Sequence, residues 1–364
     1  MYKNKDKKKI IFFMPSFEGG GVEKNITIIA NYFAKKKQDV SIITASKHSK
    51  KLIDNSINLI NPKSNFWDNY GRIPKYFVCI LLLLFEYKNN KNFNVFCFQS
   101  NILCIIFCRI FNIKIIVRPN SSPSGWSENF IKKKIFSKVL SWSNVVIVNS
   151  LDFKKELKKK FNLKSICIYN PLNINDIKKL SKKKINFNFF NKSYLNLISI
   201  GRLVDQKDHI TLLKSINLIK NKIKVKLLIL GNGNQRLNLD TYIKKNNLEK
   251  IVKIKDRVFN PYPFILKSDI MILTSKFEGL PNVLLEGLSL NKFIISSNCP
   301  TGPKEILDNG KGGLLFKVSD FKDLAKKIII HKEQKKKLSK LKKFGVKRLY
   351  RFDYKNNLEK YYKS

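Results

Sequence analysis

Two carboxylates and two cations stand at spacings that suit the departure of a phosphate. In Lys276-Phe-Glu-Gly-Leu-Pro-Asn-Val-Leu-Leu-Glu286, Glu278 and Glu286 lie eight residues apart on either side of a Gly-Leu-Pro turn. Pro281 reads as sitting just inside the start of a helix, where its missing N–H costs little and its fixed φ suits helix entry. Around Gly279, Leu280, Pro281, Asn282 and Val283 the free backbone N–H groups, aided by the helix dipole, form a seat for an anion. Glu278 precedes that seat and Glu286 lies about one helical turn inside it, so both can accept hydrogen bonds from sugar hydroxyls next to the phosphates. Gly201-Arg202-Leu203 directly follows an apolar run, with Gln206-Lys207 close behind. A leaving diphosphate needs cations aimed at the charge that develops, which Arg202 and Lys207 could supply. Arg257 is counted with the donor-binding group. Singly, each residue also fits a plain surface acid or one more cation in a basic chain.

These groups need a rigid frame, and the hydrophobic pattern describes one. Short apolar runs rich in Ile, Val and Phe alternate with longer amphipathic segments, the rhythm of βαβ units around a parallel sheet buried on both faces. The first half carries strand patterns at Lys9 to Met14, Val40 to Thr44, Asn94 to Phe98, Lys114 to Arg118, Asn144 to Val148 and Ser165 to Ile168. The second half repeats the rhythm at Leu195 to Ile200, Lys226 to Leu230, Val252 to Lys255, Ile270 to Leu273 and Phe293 to Ser296. Glu278 thus follows the carboxyl end of a parallel strand, where doubly wound sheets bind ligands. The expected division is a first domain over residues 1–175, a lysine-rich linker over 176–193, a second domain over 194–345 and a C-terminal helix over 346–364 that returns to the first domain.

Composition narrows the class. The chain has 364 residues, 72 Lys plus Arg against 26 Asp plus Glu, and a formal charge of +46. That field attracts phosphates, nucleic acid or an anionic membrane, although lysine runs are also ordinary solvated faces. No helix-turn-helix, zinc or RNA-recognition signature accompanies the charge, so no nucleic acid is expected as a partner. Six cysteines without C-x-x-C and only three histidines argue against zinc and for buried free thiols. The apolar runs at Ile10 to Met14 and Phe77 to Phe85 are too short to cross a bilayer. Gly19, Gly20 and Gly21 close the first strand and form a turn at which backbone can approach a phosphate or an acceptor. They are not the G-x-G-x-x-G of dinucleotide binders, and Gly231-Asn-Gly233 lacks the third glycine. No D-x-D occurs, which disfavours a metal-bridged donor and leaves cationic side chains that role.

In order and spacing, Gly19 to Glu23, Gly201-Arg202-Leu203 with Gln206-Lys207, Glu278 to Glu286, Cys299 to Leu307 and Gly310 to Gly313 resemble the retaining family 4 glycosyltransferases. The resemblance covers essentially the whole chain. It implies a GT-B fold, two Rossmann-like doubly wound parallel-sheet domains facing a central cleft, with the nucleotide sugar in the second. It implies that Glu286 binds the donor ribose, that Glu278 contacts the transferred sugar, and that Arg202 and Lys207 clamp the diphosphate. The expected activity is transfer of a hexose or N-acetylhexosamine from a UDP-sugar, without metal or other cofactor, to a glycan or lipid-linked acceptor in lipopolysaccharide or capsule synthesis. The alternatives are a basic nucleic-acid-binding protein and a GT-B scaffold that binds nucleotide without catalysis.

Many relatives carry a histidine after the fourth strand of the first domain, where this chain has Arg118-Pro119-Asn120-Ser121. Arg118 and Asn120 are therefore the acceptor-side candidates. The segment Phe130 to Trp142 mixes apolar residues at helical spacing with lysines and fits either an interfacial helix or a core helix with a basic face. With no spanning helix expected, the chain reads as cytoplasmic and peripheral at the inner face of the membrane, against an anionic surface.

Overall fold

The structure, a computed structural model, describes residues 8–17, 20–46, 53–64, 66–67, 70–99, 101–120, 123 and 129–364. The chain divides into two compact units, residues up to Pro171 together with Lys355–Ser364, and Leu172–Tyr354. Each is a parallel α/β layer structure.

In the first unit the described strands are β1 (Lys9–Phe13), β2 (Val40–Ile43), β3 (Asn58–Ile60), β4 (Phe93–Cys97), β5 (Ile115–Val117), β6 (Val145–Val148) and β7 (Ile166–Cys167). They pair in parallel in the order β3-β2-β1-β4-β5-β6-β7. The core is aliphatic and aromatic, with Ile11, Phe13, Val95 and Val117 of the sheet packed under Cys104, Cys108, Phe153 and Leu157 of the helices. The helix Tyr354–Lys363 belongs here: Tyr361 is buried and Tyr362 packs edge-on against Phe33 at 5.1 Å.

In the second unit β8 (Leu195–Ile200), β9 (Val225–Leu230), β10 (Val252–Lys255), β11 (Ile270–Leu273), β12 (Phe293–Ser297) and β13 (Leu314–Phe316) pair in parallel in the order β10-β9-β8-β11-β12-β13. The order reverses between β8 and β11, which opens a crevice at their carboxyl ends. The matching reversal in the first sheet lies between β1 and β4, where Ser16 N–H donates to Gln99 Oε1 at 3.0 Å.

Strand patterns in the sequence foretold all but β3 and β13, each of three residues and at a sheet edge. The stretch expected as a linker, residues 176–193, begins within the helix Ile174–Ser181, which lies in the second unit, held by Asn260 Nδ2 donating to Leu180 O at 2.9 Å. Lys267 Nζ also donates to Phe187 O at 3.2 Å. A helix of eight residues among many lysines has too few turns to show a period.

Candidate functional site

The site is assembled at the reversal of the second sheet. Arg202 and Lys207 come from the loop after β8, Glu278 from the loop after β11, and Glu286 from the helix Asn282–Ser289 that follows. Both glutamates are buried, 7% and 6% exposed, against the prior expectation for carboxylates.

Glu278 is held in detail. Lys207 Nζ meets its Oε1 at 2.5 Å, and Ser275 Oγ donates to the same oxygen at 2.6 Å. The Glu278 carbonyl accepts from Thr301 Oγ1 at 2.5 Å. The two loops are laced together by Thr274 Oγ1 donating to Lys207 O at 2.7 Å, Gln206 Nε2 donating to Phe277 O at 2.9 Å, and the Lys276–Asp205 ion pair at 2.8 Å. Lys207 folds back over Gly201, its aliphatic carbons 3.5 Å from where a Cβ would stand. Arg202 is exposed.

Charge here reaches its neighbours. Burial, then the negative charge of Glu278, pushes the Cys299 thiol up to about 12. Burial, then the positive charge of Lys207, pulls the His209 imidazole down to about 3. His209 is therefore a neutral packed residue and no candidate for a base at neutral pH.

Glu286 receives Tyr262 Oη at 3.4 Å, a long contact within a buried setting. Pro281 is the N-cap of its helix, one position earlier than the sequence reading put it, and no side chain caps that helix start. Gly279, Leu280 and Pro281 are buried, and Asn282 and Val283 half-buried. Gly302, at φ +82°, packs beneath this turn so tightly that a Cβ would stand 2.3 Å from Gly279 O. Arg257 follows β10; its backbone N–H donates to Asn232 Oδ1 at 2.5 Å while its side chain is exposed.

The sequence reading passed over several parts. Ser275, Thr301 and Tyr262 hold the two glutamates yet have no signature of their own. Gly231-Asn-Gly233, dismissed as a nucleotide motif, has a different task. A Cβ at Gly231 would fall 1.8 Å from Gly201 O and one at Gly233 2.2 Å from Leu203 O, so these glycines let the loops after β8 and β9 touch.

In the first unit Gly20 is the N-cap of the helix Gly21–Lys35, directly after β1, while Gly19 lies outside the described residues. Arg118 and Asn120, the acceptor-side candidates, are both engaged in internal hydrogen bonds. Arg118 is 1% exposed, and its guanidinium donates to Tyr361 Oη at 3.0 Å, Asn120 Oδ1 at 2.9 Å and Asn170 Oδ1. Asn120 Nδ2 in turn donates to Phe98 O at 2.6 Å. Both side chains are spent holding the C-terminal helix and neighbouring loops, and a buried guanidinium needs those acceptors.

Comparison with known proteins gives the same outline. A family model described as glycosyl transferases group 1 matches residues 181–348, and one described as glycosyltransferase family 4 matches residues 19–176. An uncharacterized glycosyltransferase of Methanocaldococcus jannaschii is 32% identical over 207 residues, 54% of this chain and 51% of that protein. An alpha-1,4-N-acetyl-D-galactosaminyltransferase of Campylobacter jejuni, named for an undecaprenol-diphosphate-linked glycan, is 29% identical over 88% of each chain. The crystal structure of HepE from Anabaena with UDP and glucose superposes with a TM-score of 0.79 at 16% identity, over 98% of each chain.

Proposed function

Since the chain belongs to the family 4 glycosyltransferases and has the GT-B fold, we propose that it is a retaining enzyme that moves a hexose or N-acetylhexosamine from a UDP-sugar to a lipid-linked glycan of a surface polysaccharide. The observation that carries the donor side is the Lys207–Glu278 pair at the sheet reversal, beside a helix start that bears Glu286. In this reading Arg202 and Lys207 take the diphosphate charge, Glu286 holds the ribose hydroxyls, and Glu278 orients the transferred sugar. The backbone from Gly279 to Val283 seats a phosphate. No metal enters the reading, since two cations can neutralise a departing diphosphate.

The transfer itself needs no protein base. The C1–O bond to the phosphate breaks, the acceptor oxygen bonds to C1 from the same face, and its proton passes to the leaving phosphate oxygen. Burial of His209 and the internal engagement of Arg118 agree with such a route. The lipid-linked acceptor and attachment to the inner face of the membrane rest on the undecaprenol-linked substrate in the Campylobacter relative's name and on the +46 charge.

Incubating the protein with radiolabelled UDP-sugars and bacterial membranes tests the reading, with the anomeric configuration of the product read by NMR. Label in the lipid fraction with the donor's own anomeric configuration is expected. An inverted product would remove the retaining claim, and no transfer from any UDP-sugar would remove the donor.

A further inference from the structure

Most large hydrophobic side chains that stand exposed among the described residues are concentrated between Phe66 and Trp142, in the first unit. On the helix Arg72–Asn89 the exposed apolar residues are Ile73, Phe77, Leu81 and Phe85, at 67%, 57%, 63% and 63%. A spacing of four keeps them on one side of that helix, opposite the buried Lys75, Cys79 and Leu83. On the neighbouring helix Asn101–Ile110 the same spacing exposes Ile102, Ile106 and Ile110, and beyond it Phe130–Leu140 exposes Ile131 and Ile135. Just ahead of the first helix, the exposed rings of Phe66 and Tyr70 pack 4.7 Å apart.

The exposed charges of these three helices are mostly positive. Arg72, Lys88, Arg109 and four lysines of Phe130–Leu140 stand against a single carboxylate, Glu86, which is already paired with Lys9 at 2.8 Å. A second copy meeting this face symmetrically would set cations against cations. An anionic polymer would suit the charge but has no use for a row of Ile, Phe and Leu. An anionic bilayer satisfies both, with acyl chains for the stripe and headgroups for the lysines. No described helix is long and apolar enough to cross a membrane, which leaves lying on the surface.

We propose that the outer faces of the helices Arg72–Asn89, Asn101–Ile110 and Phe130–Leu140 dock on an anionic lipid bilayer, the apolar stripe entering the acyl boundary. The sequence had drawn attention to Phe130 to Trp142 alone; the structure gives the longer stripe to Arg72–Asn89. This deepens the lipid-acceptor reading and rests on it for its purpose.

Flotation with phosphatidylcholine vesicles, with and without phosphatidylglycerol, tests the docking face. The wild-type chain is expected to float with the anionic vesicles, less so at high salt. Its tryptophan fluorescence, to which the exposed Trp142 contributes, should be quenched by lipids brominated in the acyl chains. Phe77→Gln/Leu81→Gln should lower partitioning roughly tenfold or more, since two apolar groups no longer enter the boundary. Both positions are exposed, so its circular dichroism and UDP affinity should match the wild type. Equal flotation of the two proteins, absence of quenching, or a dimer that the double variant abolishes would each overturn the proposal. Failure of the lipid-acceptor reading shows differently, as a protein that floats but transfers no sugar to lipid.

Discussion

Glu278 and Lys207 illustrate how much must converge to keep a carboxylate out of water. Removing each ion from solvent costs several kcal/mol, and the pair is tolerable only when close contact and further hydrogen bonds offset that. Ser275 supplies one such bond, and in the proposed reading the ammonium protons not directed at Glu278 serve a phosphate. Two residues beyond Lys207, the same surroundings make His209 sensitive to acid. Its folded pKa is depressed to about 3, below the unfolded value of about 6.5, so only the unfolded chain gains a proton between those limits. Stability is therefore fully present above about pH 6.5 and is lost as pH falls toward 3. His331, pulled down to about 4 by burial first, acts in the same direction. Urea unfolding at pH 7, 6 and 5 should show His209→Leu losing roughly 1.4 kcal/mol per pH unit less than wild type over the acid side. Parallel slopes in the two proteins would contradict the assignment.

At the scale of elements, the site depends on glycines that allow close approach. Gly302 sits at φ +82° with Gly279 O where a Cβ would go, so Gly302→Ala must displace the turn that carries Glu278 and opens the helix of Glu286. Transfer is expected to fall about a hundredfold, because small misplacement of reacting groups is costly. Gly71→Ala, with nothing within 4 Å of the new methyl, should leave the rate unchanged and serves as the comparison. This dependence marks where the sequence could be read and where it could not. Strands such as Ile270–Leu273, buried on both faces, announce themselves as apolar runs, and Glu278 and Glu286 follow from their place after one. β3 and β13 are short edge strands with little apolar signal. The partners of Glu278 were hidden for another reason: Thr301 acts through a contact 23 residues away in sequence, which no local pattern encodes, and Ser275, three residues away, has no signature that separates it from other serines. The burial of Arg118 was hidden likewise, since it is set in part by Tyr361, 243 residues on.

At the scale of the molecule, the two parallel α/β units have different duties in the proposed reaction. The second unit carries the acids and cations of the donor site; the first carries an apolar and basic face suited to a lipid surface. The division explains why the net charge of +46 need not signify nucleic acid. The central claim is that the second unit binds UDP through Glu286 and turns over sugar through Glu278, with cations in place of metal. Calorimetric titration of UDP into wild type, Glu286→Gln and Glu278→Gln, each with and without EDTA, tests it most directly. EDTA should change nothing. Glu286→Gln should weaken UDP by about tenfold or more, as a charge-assisted hydrogen bond worth about 1.5–3 kcal/mol gives way to a neutral one. Glu278→Gln should bind UDP as wild type does while transferring sugar slowly, since its partner is absent from UDP. Equal UDP affinity in all three proteins, or loss of binding on chelation, would contradict the account.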